Sequence, residues 1–322
     1  MIVVTGGAGF IGSVILHQLN QAGEDKILVV DHLDTSEKWK NLRGKRFVDY
    51  LDRKSFLDLI NRNALPKLNA IVHFGACSAT TERDADYLME NNYHYSKTLA
   101  EWSLANGVRM IYASSAATYG DGKQGFSDDP TRLADLRPLN IYGYSKHIFD
   151  LWAQRSGALN QMVGLKFFNV FGPNEYHKEE MSSVVCKAFH QLKETARIRL
   201  FKSYRKDFAD GEQMRDFVYV KDCAKLTQWL LENRSAVGLL NLGSGRSRSW
   251  KDLAQAVFAA MGKPANIEYV EMPAEMRDRY QYRTEATLER LRALGYTQPF
   301  LSLEESVADY VKNYLAKDDP YI

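Results

Sequence analysis

The stretch TGGAGFIG at residues 5–12 constrains this chain more than any other. It lies between a short apolar run, IVVT, and an amphipathic segment, SVILHQLNQAG. Gly6, Gly9 and Gly12 fit a GxxGxxG spacing, and Gly7, Gly9 and Gly12 fit GxGxxG. Glycines at these intervals let a backbone turn sharply from strand into helix and approach a pyrophosphate, which then rests on the positive helix N-terminus. The glycines alone are weak; their place between strand and helix points to a dinucleotide. Asp31 ends the next apolar run, roughly 20 residues further on, where a carboxylate would accept from a ribose hydroxyl. That favours NAD. Lys38 and Arg53 follow, and each is either a partner for a 2′-phosphate or a solvated surface cation.

The rest of the chain supplies the sheet such a loop requires. Apolar runs at 2–6, 27–31, 46–50, 70–76, 108–114 and 162–168 alternate with helix-length amphipathic segments. This alternation predicts an α/β fold, a doubly wound parallel (Rossmann) sheet with ligands at the carboxyl ends of its strands. After about residue 170 the alternation loosens. The expected division is a dinucleotide-binding domain of residues 1–168 plus 217–242 and a smaller interleaved α/β substrate domain of 169–216 plus 243–322. Ser249 with Asp252 reads as a capping box, so a helix should begin there.

Composition narrows the partners. With 25% charged residues, 45% apolar residues and a net charge of +2, the chain has no general attraction for nucleic acid or anionic membrane. No apolar run approaches the roughly 18 residues that span a bilayer, and MIVVTGG enters a strand without a leader pattern, which makes a cytoplasmic protein the expectation. Cys77, Cys186 and Cys223 are widely spaced, and neither they nor the scattered histidines suggest a disulfide framework or a metal site.

Two further stretches carry chemistry. YASSAATYG (112–120) follows the fifth run, and NIYGYSK (140–146) opens a helix-like segment. Tyr142 and Lys146, four apart, share one helix face. Tyrosine titrates near pH 10, and lowering it by about three units takes about 4 kcal/mol, the size of one unit charge about 4 Å away at an effective dielectric of about 20. Lys146 and an oxidised nicotinamide together could supply it. Ser115 would then donate to the same reacting oxygen.

TGGAGFIG, SSAATYG, YGYSK, RDFVYVKD and NLGSG together resemble the extended short-chain dehydrogenase/reductase family over nearly the whole chain. That family holds nucleotide-sugar epimerases, dehydratases and reductases. Its 4,6-dehydratases carry an Asp-Glu pair just after the serine; Ala116 and Ala117 stand here, which leaves reversible hydride transfer. Within it, FGACSATTE (74–82), ENNYHYSK (90–97) and FNVFGPNEYHK (168–178) are similar to the ADP-L-glycero-D-manno-heptose 6-epimerase family, whose product feeds the lipopolysaccharide core.

This resemblance implies epimerisation at C6 through a transient ketone. By spacing alone Lys178 is a solvated loop residue; the resemblance makes it the acid/base partner of Tyr142. It implies a bound NADP, with NAD kept open because His32 stands where asparagine is expected beside Asp31. The cofactor would lie against Phe10 and Ile11 in the glycine loop, against Phe74, Gly75, Ala76, Cys77 and Ser78 after the fourth run, and against Asn91. Asn169, Val170, Glu180, Lys187, Phe201, Arg215 and Tyr280 would contact the sugar nucleotide. His73 is expected to be packed rather than catalytic. The stretch 201–215 is longer than the family's turn, so Lys202, Arg205 and Lys206 either reach phosphate or form a solvated face. The resemblance also implies a homo-oligomer, with a pentamer among the assemblies. The rivals are a UDP- or GDP-sugar 4-epimerase or reductase of the same family and, from another class, a noncatalytic dinucleotide-sensing module.

Overall fold

The computed structural model describes residues 1–277 and 280–322, without the side chain of Glu275. Seven strands form a parallel sheet in the order β10-β6-β5-β4-β1-β2-β3. They are β1 (Ile2–Thr5), β2 (Ile27–Asp31), β3 (Asp49–Asp52), β4 (Ala70–His73), β5 (Arg109–Ser115), β6 (Val163–Phe167) and β10 (Gly238–Leu242). The central strands are buried end to end because helices cover both faces, which is why they read as apolar runs rather than as alternations. Neighbouring residues still part company across the pleat. Val4, Val29 and Val72 join one apolar layer, whereas Val3, Val30 and Ile71 join the other.

The first layer is filled by α1 (Phe10–Gln21). The second is filled by α2 (Arg53–Asn61), α4 (Tyr95–Ala105) and α5 (Ile141–Arg155), through Phe56, Leu99 and Phe149 among others. A short α3 (Ala85–Leu88) runs into α4 through a π-helical turn, Met89–His94. The third strand begins three residues later than the apolar run at 46–50 suggests. It is the edge strand, and Val48 is left 59% exposed, so its side chains report no packed face.

The remaining strands build two small sheets. Strand β7 (Asn169–Phe171) pairs parallel with β9 (Met214–Tyr219), which pairs antiparallel with β11 (Ser247–Ser249). Strand β8 (Ile198–Phe201) pairs with β12 (Ile267–Val270). Around them lie α6 (Val184–Thr195), α7 (Val220–Glu232) and α8 (Trp250–Ala260). Helix α8 starts at the expected capping box: the Ser249 hydroxyl accepts from the Asp252 N–H, and the Asp252 carboxylate accepts from the Ser249 N–H. Leu192 of α6 and Leu253 of α8 join the same apolar layer as α1, so one core runs beneath the cleft. Among the described residues no helix is long and apolar enough to cross a membrane.

Candidate active site

Strand order reverses between β1 and β4, and a cleft of about 790 Å³ opens at the carboxyl ends there. On one side the glycine loop and the loop after β4 touch backbone to backbone. A Cβ on Gly6, whose φ is 69°, would lie 2.6 Å from the Gly75 nitrogen, and one on Gly12 would lie 2.1 Å from the Gly6 carbonyl oxygen. Only glycine closes this turn. Gly9 caps α1 without a side chain, which leaves the first helical N–H groups, at Phe10, Ile11 and Gly12 in the cleft lining, as an anion seat. Phe74, Gly75, Ala76, Cys77 and Ser78 line the same cleft.

The buried Asp31 carboxylate is already engaged. One oxygen accepts from the Ala8 N–H at 2.9 Å; the other accepts from the His32 N–H and from Lys38 Nζ, both at 2.7 Å. Lys38 therefore pairs with Asp31 rather than standing as a surface cation. The His32 ring instead turns to Asp52, 3.1 Å away. Arg53 and Asn91 line a smaller hollow of about 170 Å³ that shares Asp31, His32, Lys38 and Gly75 to Cys77 with the main cleft. These residues, the uncapped helix start and the backbone cradle fit a nicotinamide dinucleotide.

The loop after β4 is held from behind by two residues that the motifs did not single out. Asn92, 1% exposed in the π-helical turn, accepts from the Cys77 N–H and donates to the Cys77 carbonyl, both at 2.9 Å, and donates to Ser145 Oγ at 3.1 Å. Ser96 accepts from His73 Nε2 at 2.8 Å, while Thr5 Oγ1 meets His73 Nδ1 at 2.7 Å. Ser96 itself donates to the Asn92 carbonyl, so Nε2 must carry the ring proton and Nδ1 must accept. His73 is thus packed and neutral, and burial draws its pKa down to about 3.

Tyr142, Lys146 and Ser115 meet on the opposite side of the cleft. Asn140 caps α5 by accepting from the Gly143 N–H at 2.7 Å. A Cβ on Gly143 would stand 2.8 Å from the Ala117 carbonyl oxygen, so the missing side chain is what lets the start of α5 close on the turn after β5. Lys146 Nζ donates to the Ala113 carbonyl at 2.8 Å, and burial brings its pKa down to about 8. Burial raises the Tyr142 phenol above the ordinary value, a hydrogen bond with Ser115 opposes this, and the negative charge of a Cys77 thiolate would raise it further. The expected lowering rests on Lys146 together with an oxidised nicotinamide, and a lysine with a pKa of about 8 still carries most of its charge at pH 7.

Lys178 closes the cleft on the α1 side. It lies in the 3₁₀ segment Tyr176–Met181, with Nζ 5.5 Å from the centre of the Phe10 ring. Burial lowers its pKa and the nearby Glu175 carboxylate opposes the change. Glu175, 1% exposed, accepts from the Gly172 N–H at 3.3 Å and from the Ser183 N–H and hydroxyl at 2.5 and 2.7 Å, fastening the loop to the start of α6. Glu175 and His177 line the cleft, and neither was signalled by spacing.

The residues expected to contact substrate divide. Asn169 and Val170 line the cleft. Arg215 is buried just outside, its guanidinium 5.6 Å from the Trp250 ring and 5.0 Å from the Tyr280 ring, and Trp250 Nε1 donates to the Tyr280 hydroxyl at 2.9 Å. Trp250 and Phe217 are themselves in the lining. Phe201 is half-buried at the end of β8, outside the lining, and its carbonyl accepts from the Gly211 N–H at 3.2 Å. Glu180 and Lys187 also lie outside it: Lys187 Nζ donates to the Glu180 carbonyl at 2.5 Å, and the Glu180 side chain is fully exposed. In the longer 201–215 stretch, Lys202 pairs with Glu271 at 2.8 Å, Arg205 pairs with Asp207, and Lys206 is exposed. This is the solvated face.

A profile of the NAD dependent epimerase/dehydratase family matches residues 2–243. The chain belongs to this family. Among curated epimerase-family relatives, the ADP-L-glycero-D-manno-heptose-6-epimerase of Nitratidesulfovibrio vulgaris is 54% identical over the full length of both chains. That of Fusobacterium nucleatum is 47% identical, again over the whole of both. Among solved structures, the Helicobacter pylori ADP-L-glycero-D-manno-heptose-6-epimerase superposes with a TM-score of 0.82 at 29% identity, covering 97% of this chain and 95% of that one. The Thermus thermophilus UDP-glucose 4-epimerase, solved with NAD, gives 0.74 at 25% identity, covering 96% and 97%.

Proposed function

We propose that the chain epimerises ADP-glycero-manno-heptose at C6, from the D-glycero to the L-glycero form, in supplying heptose for the lipopolysaccharide core. The observation that carries this reading is the pairing of two titratable heads, Tyr142 and Lys178, in the same cleft as the nucleotide loop. Full-length identity to heptose epimerases supports the substrate.

A nicotinamide dinucleotide whose pyrophosphate rests on the Gly6 to Gly12 turn would supply hydride acceptance and return. The chain's own groups handle protons. Passing through a planar ketone moves the C6 oxygen relative to fixed side chains, so one proton carrier serves one orientation and a second serves the other. Tyr142 and Lys178 take these roles, each deprotonating the alcohol in one direction and protonating the oxygen in the other. Ser115 donates to the oxygen while charge develops on it. Lys146 is anchored by the Ala113 carbonyl and orients the nicotinamide ribose. For Tyr142 to act as a base near neutral pH, positive charge from Lys146 and the oxidised cofactor together must outweigh burial, which alone pushes the phenol the other way.

The preferred cofactor is NADP: Lys38 offsets the Asp31 carboxylate, and Arg53 in the adjoining hollow is the residue that would meet a 2′-phosphate. Mass spectrometry of the co-purifying dinucleotide tests this, and Arg53→Gln should shift preference toward NAD by about tenfold, one charge-assisted contact being lost. The enzyme is expected in the cytoplasm as a homo-oligomer, a pentamer by family resemblance, which light scattering on the purified protein will show. Incubation with ADP-heptose while following the C6 proton by NMR tests the activity. No isomerisation there, with turnover of a UDP- or GDP-sugar instead, would transfer the chain to the 4-epimerase or reductase reading. A noncatalytic sensing module predicts cofactor binding with no turnover of either.

A further inference from the structure

Lys178 stands at the end of a chain of buried contacts that begins in the nucleotide loop. Asn41, in the 3₁₀ segment Glu37–Leu42, is 1% exposed. Its amide donates to the Ala8 carbonyl, inside the glycine loop, at 2.9 Å and to the Asn174 carbonyl at 3.1 Å, and it lies 3.3 Å from His177 Nδ1. Its own carbonyl oxygen has no partner among the described residues, so the side chain is held through its donors. One amide group thus fixes the separation of two loops.

Asn174 carries the second half of the link. It is wholly buried, with a φ of 74°, in the left-handed region that glycine occupies more comfortably. Its amide donates to Ser13 Oγ on α1 at 2.9 Å, and its carbonyl oxygen accepts from the Ile322 N–H at 3.1 Å. The Tyr176 hydroxyl donates to the Pro320 carbonyl at 2.8 Å, and the Tyr176 ring meets Tyr321 edge to face, so residues 320–322 strap the same loop from outside. A non-glycine residue persists in such a conformation where its surroundings over-determine it, and here both ends of its side chain are used. Neither asparagine lines the cleft.

We propose that Asn41 and Asn174 are positioning residues that set Lys178 against the dinucleotide loop, so that the turn that holds the cofactor also places the second proton carrier. This rests on the reading of Lys178 as a proton carrier. A lysine on an irregular loop has no helix or strand to hold it. A misplacement of about 1 Å costs a catalytic group about 100-fold, which is the reason for two buried amides behind it.

The test uses single turnovers of the cofactor-loaded enzyme, mixed separately with each C6 epimer, reading the absorbance of reduced nicotinamide. Tyr142 serves one epimer and Lys178 the other. Asn41→Ala and Asn174→Gly should therefore oxidise one epimer about 10- to 100-fold more slowly and the other at close to the parent rate. Asn174→Gly guards against simple misfolding, because glycine relieves the left-handed backbone while removing both side-chain links. A single cooperative melt shows that the variant folds while the asymmetry appears. Equal slowing with both epimers would mean a merely structural role and overturn the proposal, as would parent rates with both. Lys178→Met run alongside separates the two levels. If that variant oxidises both epimers normally, the two-carrier reading fails and this inference fails with it. If it loses one epimer while the asparagine variants lose neither, this inference alone is wrong.

Discussion

Burial moves Lys178 and Tyr142 in opposite senses for proton transfer near neutral pH. Loss of hydration penalises the charged form of each, which lowers the ammonium and raises the phenol. The protein without its cofactor thus brings the lysine closer to neutral pH and leaves the tyrosine protonated. Lys178→Met should fold, retain its dinucleotide and lose about 100-fold or more in steady-state epimerisation, the range set by removing one acid/base group. NMR turnover with spectroscopic measurement of bound cofactor checks both halves of that statement. Tyr142→Phe should behave alike, and normal turnover in that variant would remove Tyr142 from the proton route. The tyrosine, with Lys146, was legible because i,i+4 spacing on a helix guarantees a shared face. Asn41 gave no signal: its role is to reach, from 133 residues away, the carbonyl of Asn174.

At the scale of elements, the register of α5 against β5 and β6 sets where Ser115, Tyr142 and Lys146 meet. Asp150 of α5 accepts from the Tyr112 hydroxyl at 3.0 Å and the Ser114 hydroxyl at 2.7 Å and pairs with Lys166 of β6 at 3.2 Å, both ionic side chains being 0% exposed. Lys166 also donates to Thr118 Oγ1 at 2.5 Å and stands 4.6 Å from the centre of the Tyr119 ring. Breaking a buried pair strands the other charge, so Lys166→Met should cost about 3 to 5 kcal/mol in denaturant unfolding. The double variant Lys166→Met with Asp150→Leu should recover part of that loss, because no uncompensated charge remains. At the start of α8 a smaller cost is expected: Ser249→Ala removes one arm of the capping box and should lower stability by about 1 kcal/mol. A calorimetric or urea series over these variants would rank the two effects.

For the whole molecule, acid stability depends on whether a buried neutral group is forced to charge. His73 has its pKa drawn down to about 3 in the fold against about 6.5 when unfolded, so the unfolded chain binds the extra proton between those values. Its contribution is therefore fully present above pH 6.5 and lost as pH falls toward 3, about 5 kcal/mol in all. Urea midpoints across that range should drop more steeply for the parent than for His73→Asn, and parallel slopes would contradict the account. The strand-helix alternation, the glycine turn and the helix bearing Tyr142 are written in short-range patterns: a period of two or 3.6, or a residue without a side chain at a forced turn. These determine a Rossmann sheet and the place of its cleft from sequence alone. The edge strand β3 began later than its apolar run because an exposed edge leaves no packing pattern to read. Tertiary structure alone decided which polar residues are buried, and so which way Tyr142, Lys146 and Lys178 shift. It also brought Asn41, Asn174 and residues 320–322 together around one loop, because desolvation and long-range hydrogen bonds exist only once distant segments have packed.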